Sequence, residues 1–361
     1  MNTFIESPDW ILQNVIDTYK SFIWTERYSE YGDFEIEVPA TEEFLKIFKK
    51  GYYITSVETK KVMIIEKIEI DTSVEDGNEL IISGRSLESI LDRRIVWNHT
   101  VLTGNLQAGI KKLLDENIIS PVIAERKIEN FIFEESTDHE ITKLTIDAQY
   151  HGDNIYAIVQ SLCEDNKLGF SVTRSKDNKF IFKLYRGTDR SYAQDKLPYI
   201  EFSPSFDNLM ESNYIESDED YKNVTLVGGE GQGSERKTIQ YTNLLSMPSG
   251  LERKEIFTDA SGVSSQSQGG TVSHEDYNKQ LQQKGKEDLE RHKVSKAFEG
   301  DIETSLQYIY RDDFLVGDIV QIVNEYGIDA RVRMNEIVYS QDEEGEKIYP
   351  TFTAIDDKYE K

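Results

Sequence analysis

Arg85, Glu88, Asp92, Arg93 and Arg94 place three guanidinium groups and two carboxylates within one short stretch. A guanidinium fork matches a carboxylate or a phosphate two hydrogen bonds at a time. The stretch therefore reads in two ways. It is a pocket for an anionic ligand, or a set of ion pairs that fixes the Ser86–Asp92 turn against a sheet or a neighbouring subunit. Arginine is favoured in interface pairing, so these five residues are taken as a structural and interface motif. No catalytic, cofactor-binding or metal-binding residue is assigned.

Other stretches offer chemistry and then fail a requirement of it. Gly228 to Gly233 contains four glycines, but a phosphate cradle needs a helix N-terminus directly after it. Ser234 to Ile239 reads as a strand, so the glycines read as a turn. The five histidines are His99, His139, His151, His274 and His292. None has the i, i+4 spacing of a helical metal site. The acidic runs Glu216–Asp220 and Asp342–Glu344 lack the alternating oxygen ligands and central glycine of a calcium loop, and read as solvated turns. Cys163 is the only cysteine. It lies on the apolar stripe Ile155, Val159, Leu162, Cys163 of an expected helix, which suits a buried thiol. One cysteine allows no disulfide within the chain.

The elements that would position these residues are mostly strands. Strand patterns run over Val15–Trp24, Phe34–Val38, Tyr52–Val57, Val62–Ile70 and Glu79–Ser83. Asp76-Gly77 marks a hairpin. Glu42–Phe48 is an expected short helix. From Asn105, a capping residue, Leu106, Ile110, Leu113 and Leu114 follow helical spacing. Strands are expected at Val122–Ala124 and Phe131–Phe133, a helix over Ile155–Asn166, and a hairpin of Phe170–Thr173 with Phe180–Tyr185. Later come Val224–Val227, a mobile Ser/Gly/Gln stretch at Ser261–Thr271, a polar helix over His274–Lys296, and strands at Ile302–Ile309, Ile319–Val323, Val332–Tyr339 and Ile348–Ala354. The helix carries Tyr277, Leu281 and Leu289 on a thin apolar stripe.

The chain has 361 residues, 67 acidic and 41 basic, for a formal net charge of −26. That balance gives no electrostatic basis for binding DNA or an anionic membrane surface. Hydrophobic residues make up 38%, enough to build a core, and the 20 tyrosines and 16 phenylalanines favour sheets. No apolar run approaches the length of a membrane span. Met1 to Glu6 shows neither a basic nor an apolar leader region, so synthesis and folding in a reducing cytoplasm are expected.

Two stretches resemble each other. Gly51 to Val57 parallels Gly317 to Val323. Each is followed by Val-x-x-x-Glu, Val62 to Glu66 and Val332 to Glu336, then by an acidic hairpin turn, Glu75-Asp76-Gly77 and Glu343-Glu344-Gly345, and a closing strand. The reading is two related β-barrel domains with the middle of the chain inserted between them. The expected fold is β-rich α+β, with an N-terminal β-barrel at 1–95, an inserted α+β domain at 96–205, and a second barrel at 206–361 carrying the mobile loop and a peripheral helix at about 273–297. Two like domains per chain mean that a trimer presents six similar units in a ring.

Several of these motifs also carry a family resemblance. Ser21 to Tyr28, continuing through Gly32-Asp33-Phe34-Glu35, resembles the opening of siphophage tail-hub proteins. So do Ser83 to Arg94, Leu168-Gly169-Phe170, Gly187 to Ser191, Phe202-Ser203-Pro204, Asp220 to Val224 and Gly317 to Val320. The resemblance spans nearly the whole chain. It implies a fold similar to the baseplate hub of contractile tails, with two barrels of tail-tube type and α/β insertions in a homotrimer. It implies a virion tail tip location, attachment to the distal tail protein, the tape measure protein and other tail-tip proteins, no cofactor, and a structural rather than enzymatic role. Many relatives carry a C-terminal lysin or fibre-like extension, whereas this chain stops at Lys361 and is expected to be the bare hub. Two rival readings are a tail-associated cell-wall hydrolase or peptidase, and a carbohydrate-binding module that recognises the host surface.

Overall fold

The computed structural model describes residues 1–73, 77–267, 270–302, 307–342 and 345–355. Strands dominate. In the N-terminal part these are β1 (Thr3–Glu6), β2 (Leu12–Ile16), β3 (Ser21–Arg27), β4 (Asp33–Pro39), β5 (Tyr53–Ser56), β6 (Met63–Ser73) and β7 (Gly77–Ser86), with helix α1 (Glu42–Ile47) between β4 and β5. Residue alternation sets the faces. Phe34, Ile36 and Val38 of β4 point inward with Phe22 and Trp24 of β3, and all five are buried. The apolar run Val15–Trp24 is two strands, because the short polar pair Asp17-Thr18 turns the chain between β2 and β3.

The middle of the chain forms its own layer. It contains β8 (Thr100–Asn105), α2 (Leu106–Leu114), β9 (Phe131–Glu134), α3 (His139–Thr142), β10 (Thr145–Tyr150), α4 (Ile155–Asp165), β11 (Gly169–Arg174) and β12 (Phe180–Tyr185). Asn105 caps α2, accepting from the Ala108 N–H at 2.9 Å, and Asn154 caps α4, accepting from Ala157 at 3.1 Å. Leu106, Ile110, Leu113, Ile155, Val159 and Leu162 share one core with Phe170, Val172 and Phe182 of the hairpin. Val122–Ala124 is not a strand. Residues 124–126 make a 3-10 turn instead, drawn onto the end of α2 where Arg126 donates to Asn117 Oδ1 and to the Ile95 carbonyl.

The last part contains β13 (Glu201–Phe202), β14 (Leu209–Ser217), β15 (Val224–Gly228), β16 (Thr238–Tyr241), β17 (Glu255–Asp259), β18 (Gln266–Ser267), β19 (Gly270–Thr271), α5 (His274–Arg291), β20 (Ser295–Ile302), β21 (Ile319–Val323), β22 (Asp329–Asp342) and β23 (Gly345–Ala354). Part of the stretch read as a mobile loop, residues 268–269, lies outside the described residues, as do Glu75, Asp76, Glu343 and Glu344 of the two acidic turns. Helix α5 ends at Arg291, short of the expected Lys296, because the chain from Ser295 onward is needed as a ladder partner for β14. The strand expected over Ile302–Ile309 meets β20 only at Ile302, where β20 ends. Residues 303–306 lie outside the described residues and 307–309 are not strand.

Among the described residues, thirteen strands form one sheet. Its path runs β14-β20-β23-β22-β3-β4-β7-β6-β5-β1-β2, with β21 and β13 branching from β22. Two five-stranded units with the same order lie within it: β3-β4-β7-β6-β5 and β14-β20-β23-β22-β21. Every ladder within both units is antiparallel. The correspondence reaches single hydrogen bonds. Gly51 N–H donates to the Ile65 carbonyl (2.7 Å) and Ile65 N–H to that of Tyr52 (2.8 Å). Gly317 N–H donates to the Met334 carbonyl (2.7 Å) and Met334 N–H to that of Asp318 (3.0 Å). A bulge follows each, at Glu66 and at Asn335. Both glycines have positive φ, +83° and +98°. The structure thus moves the sequence alignment by one residue on the second strand, with Ile65 standing where Met334 stands. The two units are fused as one sheet through the β3–β22 ladder, rather than standing as two closed barrels.

Candidate functional site

The expected arginine motif sits where the first unit meets the inserted layer. Arg85, on β7, makes a two-bond fork with Glu66 on the neighbouring strand: Nε to Oε2 at 2.6 Å and Nη2 to Oε1 at 3.0 Å. Its Nη1 reaches Asp92 Oδ2 at 3.1 Å, and the guanidinium lies 5.0 Å from the Tyr31 ring centroid. Arg93 approaches the same Glu66 at 4.0 Å. Asp92 in turn accepts two bonds, both 3.0 Å, from Nδ2 of Asn154, the cap of α4. The chain Glu66–Arg85–Asp92–Asn154 therefore pins helix α4 to the bulge of β6. The hydrogen bonds that Arg85 donates to Glu66 hold its guanidinium charged and push its pKa up despite desolvation.

Glu88 and Arg94 stand apart from this group. The Glu88 side chain is fully buried, pairs with Lys61, and accepts from the Val172 N–H at 3.1 Å. Arg94 turns toward the 124–126 turn and donates to the Arg126 carbonyl at 2.9 Å. Glu66 is the partner that the sequence motif omitted. Its signal was present, since it closes the Val-x-x-x-Glu pattern of the repeat.

A second cluster marks the seam between the units. Ladder β3–β22 sets Arg27 opposite Glu336 and Trp24 opposite Tyr339, and Arg27 Nε bonds Glu336 at 2.5 Å. Beside it, Glu26 is almost buried. Its Oε1 accepts from Trp24 Nε1 (3.2 Å), Thr59 (2.8 Å) and Arg311 (3.0 Å), and its Oε2 accepts from Tyr310 (3.0 Å). Burial alone would push this carboxyl up. Arg311 and Lys61, helped by the hydroxyl donors, outweigh burial and hold it below the usual carboxylate range.

The remaining candidates resolve into structure. The Gly228–Gly233 stretch joins antiparallel β15 and β16, and Arg236 donates to the carbonyls of Gly228 and Gly229 at 2.9 and 3.1 Å. A loop so occupied presents its carbonyls to a guanidinium, which is the wrong polarity for a phosphate cradle. Cys163 is fully buried, and burial pushes its thiol up, which is the opposite of an activated nucleophile. His99 bonds Gln149 and His292 bonds the Asp288 carbonyl. Among the described residues no three of His, Cys, Asp and Glu converge as a metal-binding group, and no helix is long and apolar enough to cross a membrane.

Known proteins give the context. Three solved structures share the fold over almost their whole length. Prophage tail protein gp18 from Listeria monocytogenes EGD-e is 12% identical with a TM-score of 0.54, over 98% of this chain and 94% of that one. The tail protein from Neisseria meningitidis MC58 is 13% identical with a TM-score of 0.56, over 98% and 96%. The 43 kDa tail protein of prophage MuSo2 from Shewanella oneidensis is 11% identical with a TM-score of 0.57, over 98% of each chain. A search of curated proteins returns no match. The model of one sequence family, described as Siphovirus ReqiPepy6 Gp37-like protein, matches residues 2–352. With both five-stranded units and the seam inside that span, save the last two residues of β23, the chain belongs to the Siphovirus ReqiPepy6 Gp37-like protein family.

Proposed function

We propose that this protein is a structural hub of a bacteriophage or prophage tail tip, working as a homotrimer that joins the tail tube to the tip. The observation that carries the reading is the duplicated five-stranded unit. Three copies bring six such units, each of tail-tube type, into a closed ring with sixfold character on one side and threefold on the other. Family membership and the fold shared with three tail proteins support the same reading. The distal tail protein, the tape measure protein and other tip proteins are the expected neighbours.

The mechanism is mechanical. The ring continues the tube and holds the tip closed until subunits shift and open a path for DNA. A chain of net charge −26 suits a passage that DNA must traverse without adhering, since basic contacts to phosphate would hold it.

Light scattering over a concentration range, with negative-stain imaging, tests the assembly. A stable trimer with a central opening is the expected result. A monomer that fails to assemble even with the distal tail protein present would overturn it.

A further inference from the structure

Strand β22 carries two partners on one flank. Its first part, Asp329 to Arg333, takes β21, and its later part, Glu336 to Gln341, takes β3 of the other unit. Its counterpart β6 takes β5 only at Met63 and Ile64. Beyond the Glu66 bulge, the same flank of β6 has no strand partner among the described residues. Lys67, Glu69, Ile70, Asp71 and Thr72 are exposed there. An open ladder of this kind is normally covered. At the other end of the sheet, β14 is the counterpart of β3. It pairs with β20 on one side and, among the described residues, with no strand on the other, and Met210 and Ile215 are exposed on it.

We propose that in the ring β14 of one copy adds to Lys67–Thr72 of β6 in the next copy, in the register that β3 and β22 adopt within the chain. The acidic run Glu216–Asp220 then lies on the Lys49-Lys50-Gly51 turn and Lys67 of that next copy. The inference rests on the ring reading above and names its contact.

The repeat fixes the register. Trp24 connects through Phe34 and Gly84 to Ile65, and Tyr214 connects through Phe298 and Phe352 to Met334. Tyr214 is therefore the counterpart of Trp24. The pairs Tyr339–Trp24 and Glu336–Arg27 become Ile70–Tyr214 and Lys67–Ser217 between copies. Past Ser217, Asp218-Glu219-Asp220 runs toward Gly51, as Tyr28 runs past Arg27 to Gly317. Lys49 and Lys50 are exposed and have no carboxylate at ion-pair distance among the described residues, and the same holds for Glu219 and Asp220 toward cations. Asp218 and Glu216 already meet Lys254 and Lys296. Copies of a chain this acidic repel one another, so a local patch of opposite sign decides where they meet. The contact joins different surfaces head to tail, which is the kind that closes rings.

The full chain carrying Ile70→Cys and Tyr214→Cys tests the register. The two positions lie in different units, so a short bismaleimide joins them only between copies, and Cys163 is buried. Cross-linked oligomers are expected from the double variant and not from either single one. Lys49→Glu with Lys50→Glu, or Glu219→Lys with Asp220→Lys, is expected to weaken association about tenfold, and the four substitutions together to restore it. Reversal variants that cross-link and associate like the parent would remove the charge contact and leave the ring standing. A trimer that never cross-links at 70 and 214 would refute the pairing itself. A chain that stays monomeric and uncross-linked at every concentration, with the distal tail protein present, would take the ring reading down as well.

Discussion

The Tyr28 ring lies directly against Gly317, so close that a Cβ on Gly317 would overlap its Cδ2 and Cε2 atoms. The same ring faces Gly169, and its hydroxyl donates to the Lys167 carbonyl at 3.0 Å. One side chain at the end of β3 thus touches the second unit through Gly317 and the inserted layer through Gly169. Three parts of the chain that are remote in sequence meet at this tyrosine.

Gly317→Ala is expected to destabilise the protein far more than Gly51→Ala. Both glycines hold positive φ, +98° and +83°, which costs an L-residue about 1 kcal/mol. Only Gly317 also has a ring in the space a Cβ would take, whereas Gly51 has nothing within 4 Å. Overpacking adds about 1–3 kcal/mol. Denaturant midpoints of the two variants measure the difference, and equal midpoints would show that the Tyr28 contact yields without cost.

Glu26→Gln is expected to cost about 2 kcal/mol, because it leaves the half-buried Arg311 beside a neutral amide, with Glu58 at 3.7 Å as its remaining carboxylate among the described residues. The substitution also changes the pH profile. The folded Glu26 carboxyl is depressed, so its stabilisation is present above the unfolded glutamate pKa and is lost as pH falls through the folded value. The parent should lose stability on acidification more steeply than the variant. Unfolding free energies measured from neutral to strongly acidic pH test this, and parallel curves would count against it.

The sequence disclosed the strands where alternation was clean, as in Phe34-Glu35-Ile36-Glu37-Val38, and the caps where Asn105 and Asn154 precede apolar runs. It disclosed the repeat because Gly51 and Gly317 occupy positions that need positive φ. What it left hidden depends on pairing at a distance. The bulges at Glu66 and Asn335 shift the repeat by one residue, and no local signal distinguishes a bulge from a straight strand. The fusion of the units through β3 and β22 joins residues some three hundred positions apart. Likewise Arg85 was visible as a cation, but its choice of Glu66 over nearby Glu88 is set by the ladder that makes β6 and β7 neighbours, while Glu88 turns inward to Lys61.

Arg85→Lys is expected to lower stability by about 1 kcal/mol even though charge is kept. A lysine offers a point charge and cannot span both Glu66 oxygens and Asp92 together. Partial exposure limits the loss. The loss is expected to be non-additive with Asn154→Ala, which breaks the next link at the α4 cap. A double-mutant cycle measures the coupling, and strictly additive effects would show that the Glu66–Arg85–Asp92–Asn154 chain does not act as a unit.

Asp165 gives the opposite pH dependence to Glu26. It ends helix α4 beneath α5, and its Oδ2 is buried without a hydrogen-bond partner among the described residues. Burial, with Glu287 and Glu290 of α5 nearby and only partial relief from Lys286 and Arg291, pushes its carboxyl up to about 7. The folded protein therefore holds this proton to higher pH than the unfolded chain does. Its favourable neutral form is fully present below the unfolded aspartate pKa of about 4, and stability falls as pH rises from there through about 7. Asp165→Asn keeps the neutral shape without the titration. It is expected to match the parent in acid and to exceed it at pH above about 7, with slower hydrogen exchange along α5, where the like charges of Asp165 and Glu287 would otherwise push the two helices apart. A variant less stable than the parent at alkaline pH would show that the ionised carboxylate finds cationic partners strong enough to offset its burial.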